Sequence, residues 1–139
     1  MYLRGAQRMV AWPTQPELLV PSVLVTDDND GWRDAVGDAL AREGFRTLEA
    51  ACGEEAIELV RCERIDVVLI DFHMPRLDGI QTLRIIRHEQ FWVPAVLMTA
   101  HPADVPADEA RALRVDTVLE KPADRHVIVT TVTRVMRRP

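Results

Sequence analysis

Val67-Val68-Leu69-Ile70-Asp71-Phe72-His73-Met74-Pro75-Arg76-Leu77-Asp78-Gly79 is the stretch on which the fold turns. Four apolar residues in a row end on a carboxylate. A segment apolar on both faces suits a strand of a parallel sheet covered by helices above and below. Pro75 and Gly79 then mark a loop. Beyond it Ile80, Leu83 and Ile86 recur at helical spacing. The stretch reads as strand, loop and helix, with an acid at the strand's carboxyl end.

The same grammar repeats on either side. Val23-Leu24-Val25 and Ala95-Val96-Leu97-Met98 are further strands of this type. Thr117-Val118-Leu119 is a weaker one, and Arg46-Thr47-Leu48-Glu49 fits a more exposed strand. Between them Trp32, Val36, Ala39 and Leu40 form a helical stripe that Gly44 stops. Gly53-Glu54-Glu55 places acids in the first turn of another helix, at its positive dipole end. Pro106 can open a short fourth helix running to Leu113. Residues 124–136 carry two signals. Val127 to Thr133 favour a strand by propensity. The length and the strand–helix alternation favour a helix with Ile128, Val132, Val135 and Met136 inward, and helix is the reading adopted. The fold class is therefore α/β: a (βα)5 doubly wound sheet over residues 22–139, preceded by a loose arm over 1–21 that holds Pro13, Pro16 and Pro21.

Composition narrows the function. The chain has 139 residues, enough for one core. The longest apolar run, Phe91 to Met98, contains Pro94, so nothing reads as a membrane span. Segment 1–20 lacks an apolar run long enough for a signal peptide. Cys52 and Cys62 lie ten apart on one expected helix and point in different directions, which predicts a reduced, cytoplasmic protein. The net charge of −5 makes duplex DNA a poor partner. That charge is uneven: residues 1–20 carry +1, residues 134–139 carry +3, and 21–133 carry −9. Of seventeen cationic side chains, sixteen are arginine; Lys121 is the one lysine.

In a doubly wound sheet, ligands sit beyond the carboxyl ends of the strands. Those ends hold Asp27 and Asp28 after the first strand and Asp71 after the third. They also hold Thr99 after the fourth, and Lys121-Pro122 after the fifth. Three crowded carboxylates raise one another's pKa. A hard divalent cation such as Mg2+ relieves that crowding. An aspartate can act as a nucleophile toward phosphorus, and lysine and threonine can hold phosphoryl oxygens. The chemistry suggested is magnesium-dependent phosphorylation of an aspartate.

Four ordered motifs, Thr26-Asp27-Asp28, Asp71-Phe72-His73-Met74-Pro75, Thr99-Ala100 and Lys121-Pro122, resemble the receiver domains of two-component response regulators. The resemblance covers roughly residues 21–138. It implies a flavodoxin-like sheet in the order 2-1-3-4-5, with Asp71 as phosphoacceptor and Thr99 and Lys121 as its catalytic helpers. It implies Mg2+ held by Asp27, Asp28, Asp71 and the backbone carbonyl of His73, with Asp27 acting through water or hydrogen bonds. It implies a cis bond before Pro122, and a tuning role for His73 and His101 in phosphoryl lifetime. The implied partners are a sensor histidine kinase or histidine phosphotransfer protein and an output protein still to be named, with no nucleic acid and no membrane. The chain reads as a single-domain phosphorelay component rather than an enzyme, beyond assisting its own phosphorylation and dephosphorylation.

Other readings stand beside this one. Asp71 alone also suits a haloacid-dehalogenase-type phosphatase, but that family expects a second aspartate where His73 stands. A pseudo-receiver, docking without being phosphorylated, is the alternative. Val118 favours it mildly, because many receivers carry an aromatic switch residue there. Ala123 also replaces the bulky residue common after Lys-Pro.

Overall fold

The computed structural model describes residues 20–137. The arm expected over 1–21 and the end of the basic tip, Arg138, therefore lie largely outside the described residues. Val20 and Pro21 are held in place: Arg64 Nη2 donates to the Val20 carbonyl at 2.7 Å, and the Arg46 N–H donates to that of Pro21 at 2.9 Å.

Strands and helices alternate five times. The strands are β1 (Ser22–Thr26), β2 (Arg46–Ala50), β3 (Val67–Asp71), β4 (Ala95–Thr99) and β5 (Val115–Glu120). The helices are α1 (Asp30–Arg42), α2 (Gly53–Cys62), α3 (Gly79–His88), α4 (Ala107–Ala112) and α5 (Arg125–Met136). All pairings are parallel, in the order β2-β1-β3-β4-β5, as the motif resemblance implied.

The three apolar runs are the three inner strands, and every residue of each is buried. Their side chains split between two cores. Leu24, Val68, Ile70 and Leu97 meet Ile57, Leu83 and Ile86 from α2 and α3. Val23, Val25, Leu69 and Met98 meet Val36, Leu40, Ile128, Val132 and Val135 from α1 and α5. That second core settles residues 124–136 as helix: only helical spacing brings Ile128, Val132 and Val135 together on one buried face. Tertiary burial outweighs the β-branched propensity there.

Local devices mark the helix ends. Asn29, Asp78 and Asp124 each accept a backbone N–H within the first turn of α1, α3 and α5. Asp78 and Gln81 complete a reciprocal capping box. Gly44, just past α1, has φ +94°, which glycine adopts without strain. Gly79 is needed for a different reason. A Cβ there would lie 2.7 Å from the Asp71 carbonyl oxygen and 2.9 Å from Leu97 Cδ2. The missing side chain lets α3 start directly against the end of β3.

Two features departed from expectation. A 3₁₀ turn, Pro102–Asp104, precedes α4. Cys52 stands at the N-cap position of α2 instead of within the helix; both cysteines are free, as their spacing implied. Trp92 is half exposed, with the guanidinium carbons of Arg87 and Arg114 about 5 Å from its ring centroid. Among the described residues no helix is long and apolar enough to cross a membrane.

Candidate functional site

The carboxyl end of the sheet gathers the acids as the strand pattern required. β1 and β3 are direct neighbours, with Thr26 opposite Ile70, so Asp27 and Asp71 emerge side by side. One ligand oxygen each from Asp27, Asp28 and Asp71 lies within 4.8 Å of the other two. Asp27 is fully buried, Asp71 is 6% exposed, and Asp28 faces solvent.

Lys121 reaches this cluster from β5, two strands away from β3. Its Nζ donates to Asp27 Oδ2 at 2.6 Å and lies 3.4 Å from Asp71 Oδ1. The other Asp27 oxygen accepts the Asn29 N–H at 2.9 Å. The lysine's main chain is fixed too: its N–H donates to the Thr99 carbonyl at 2.8 Å, and the bond to Pro122 is cis.

The surroundings of Asp71 disfavour its ionised form relative to a free carboxyl. Burial, helped by Asp27 and Asp28, raises its pKa to about 6 even though Lys121 opposes the shift. An ion that supplied positive charge here would favour the ionised form.

Thr99 is buried on β4, one residue beyond Met98, which pairs with Asp71. Its hydroxyl oxygen accepts the His101 N–H at 3.0 Å. His73 and His101 stand over this end of the sheet with ring centroids 6.3 Å apart. His73 Nε2 lies 3.3 Å from Asp104 Oδ2 in the 3₁₀ turn. His88 and His126 are exposed helix residues.

Two residues that sequence reasoning missed support the cluster. Arg33 on α1 donates to the Asp27 carbonyl at 2.7 Å, to Asp30 at 2.8 Å and to Glu49 at 3.0 Å. It ties the acidic loop to the end of β2. Trp32 lies beside it, and its ring centroid is 5.2 Å from Lys121 Nζ. The helical stripe marked Trp32 as a packing residue, and nothing in the local pattern signalled a cation on its face.

The Response regulator receiver domain profile matches residues 23–133. The transcriptional regulatory protein AfsQ1 of Streptomyces coelicolor is 32% identical over 119 residues, 86% of this chain and 52% of its own length. The sporulation initiation phosphotransferase F of Bacillus subtilis is 32% identical over 102 residues, 73% of this chain and 82% of its own length. The chain thus spans about half of the Streptomyces regulator and most of the Bacillus protein. Among solved structures, the receiver domain of Francisella response regulator 1452 superposes with a TM-score of 0.76 at 30% identity, covering 85% of this chain and 98% of that one. With the strand order and the acid cluster in agreement, the chain belongs to the response-regulator receiver domains of two-component signalling.

Proposed function

We propose that Asp71 accepts a phosphoryl group from a phosphohistidine on a sensor histidine kinase or histidine phosphotransfer protein. The phosphorylated and free forms would then bind an output protein differently. Receiver domains are regulatory and not enzymes in the ordinary sense. In this reading residues 22–139 are the receiver, and 1–21 are an arm in front of it. One observation carries the proposal: a buried aspartate sits at a strand end with two more carboxylates within 4.8 Å and an ammonium 3.4 Å away.

The donor set fits magnesium, which takes hard oxygen ligands and commonly keeps several waters. Asp27, Asp28, Asp71 and the His73 carbonyl would hold it. When bound, it neutralises the crowded carboxylates and the charge on phosphoryl oxygens. A carboxylate oxygen of Asp71 attacks phosphorus; the new P–O bond forms as the P–N bond breaks and the donor imidazole leaves. Lys121 moves its charge from Asp27 toward the new phosphoryl group. Thr99 still has its own proton to donate to the same group. His73 and His101 flank the approach of the hydrolytic water and so tune the lifetime of the acyl phosphate.

With magnesium and acetyl phosphate the protein should gain one phosphoryl group by intact mass, and Asp71→Asn should gain none. No gain with any small donor sinks the phosphoacceptor reading. It would favour a docking module, which the absence of an aromatic at Val118 also mildly favours. Lys121→Arg should keep the fold and slow phosphoryl gain by about tenfold or more, because a wide planar fork cannot replace a compact ammonium between two carboxylates. A wild-type rate in that variant would show that any cation suffices.

A further inference from the structure

Lys121 has two carboxylate neighbours and one aromatic neighbour. The nearer carboxylate, Asp27 at 2.6 Å, belongs to the first strand; the farther, Asp71 at 3.4 Å, is the proposed phosphoacceptor. To serve a phosphoryl group on Asp71, the ammonium must leave its closest partner. The ring of Trp32 lies 5.2 Å from Nζ, within cation–π range. Such an attraction spreads over a ring face, so it can follow the ammonium between two anions without competing as a third.

The way Trp32 is held points the same way. A buried tryptophan N–H normally finds an acceptor. Trp32 Nε1 is buried and has none. Its backbone N–H is the one that Asn29 caps. The ring is therefore oriented by its faces: apolar packing with the α1 and α5 core, which Leu119 and Ala123 also join, and the lysine ammonium. Ala123 is small where many receivers are bulky, and Trp32 packs against the same core.

We propose that Trp32 is a positioning residue for Lys121: its ring keeps the ammonium over the acid cluster and carries it from Asp27 to the phosphorylated Asp71. This rests on the reading of Asp71 as phosphoacceptor and names a residue on which that reaction depends. It concerns only Trp32 and Lys121, and leaves the metal to the three aspartates.

The single lysine makes the test direct. Labelling with 13C-lysine gives one side-chain ε-CH2 signal, and a tryptophan face shifts nearby protons upfield. The Lys121 ε-protons should be upfield in the wild type, at the ordinary lysine position in Trp32→Leu and Trp32→Met, and again upfield in Trp32→Phe. With acetyl phosphate and magnesium, phosphoryl gain should be about tenfold slower in the Leu and Met variants and largely restored in Phe. An ordinary lysine position in the wild type overturns the proposal even if no variant folds. Leu and Met variants that react at the wild-type rate also overturn it. A wild type that takes no phosphoryl group defeats the phosphoacceptor reading itself, an outcome distinct from a reactive wild type whose Trp32 variants react equally well.

Discussion

Asp71→Asn will be more stable than the wild-type chain at pH 8 by about 1–3 kcal/mol in the absence of divalent cations, and the gain will vanish below about pH 4. The reason is linkage. Asp71 has its pKa raised from 3.8 to about 6 in the folded chain, chiefly by burial and then by Asp27. Between those values the unfolded chain releases the proton while the folded chain keeps it, so folding loses stability as pH rises through this window. Above it the loss is constant. A shift of this size is worth at most about 3 kcal/mol, at roughly 1.4 kcal/mol per pKa unit. Asparagine keeps the shape without the charge. Lys121 loses one anionic neighbour but retains Asp27, which offsets part of the gain. Urea unfolding at pH 4, 6 and 8 with EDTA checks the sign. Magnesium should narrow the gap by stabilising only the wild type. Equal stability at all three pH values would mean that the acid cluster is not strained in the folded chain.

The second large effect lies at the other end of the sheet. Arg87→Met should cost about 3–5 kcal/mol in chemical denaturation, with the denaturant slope unchanged. Arg87 is 5% exposed although it stands near the carboxyl end of α3. Its guanidinium donates to three carbonyls: Leu113 at 2.9 Å, Phe91 at 3.0 Å and Val93 at 2.7 Å. Burial lowers its pKa from the usual arginine range, opposed by the negative charge of Asp116. Methionine fills the stem's volume and removes every donor. Each orphaned carbonyl costs about 1–3 kcal/mol unless water reaches it. Phe91 and Val93 lead into β4, and Leu113 leads into β5, so the loss should be global. A cost below about 1 kcal/mol would show that these carbonyls are readily hydrated.

These two residues mark what the sequence could disclose. Asp71 was legible because its signal is local: an apolar run ending on an acid, in a chain where similar runs recur. The inner strands follow from short unbroken apolar runs, and the helices from a period of 3.6 with Gly and Pro at their ends, all within a short window. Residues 124–136 were ambiguous locally, and only the far side of the core decided them. Arg87 was not legible. It follows the helix stripe as an ordinary polar position, and one of its acceptors lies 26 residues away. Trp32 and Lys121 are 89 positions apart, and no window holds both. Charge–aromatic and charge–carbonyl contacts have no period, so they appear only once the chain is folded.

Arg87 holds the entry to β4, and Thr99 ends it on the acid cluster. The Arg87 anchor and the acid cluster with its proposed phosphoacceptor thus occupy opposite poles of the same strands. Stability can then be adjusted at one pole while the chemistry at the other is left alone. Lineages of such a chain could shed or gain several kcal/mol around the loops at 91–94 and 113–114 without retuning the acids. Engineers seeking a hardier signalling module should begin there, at the pole where Arg87 sits.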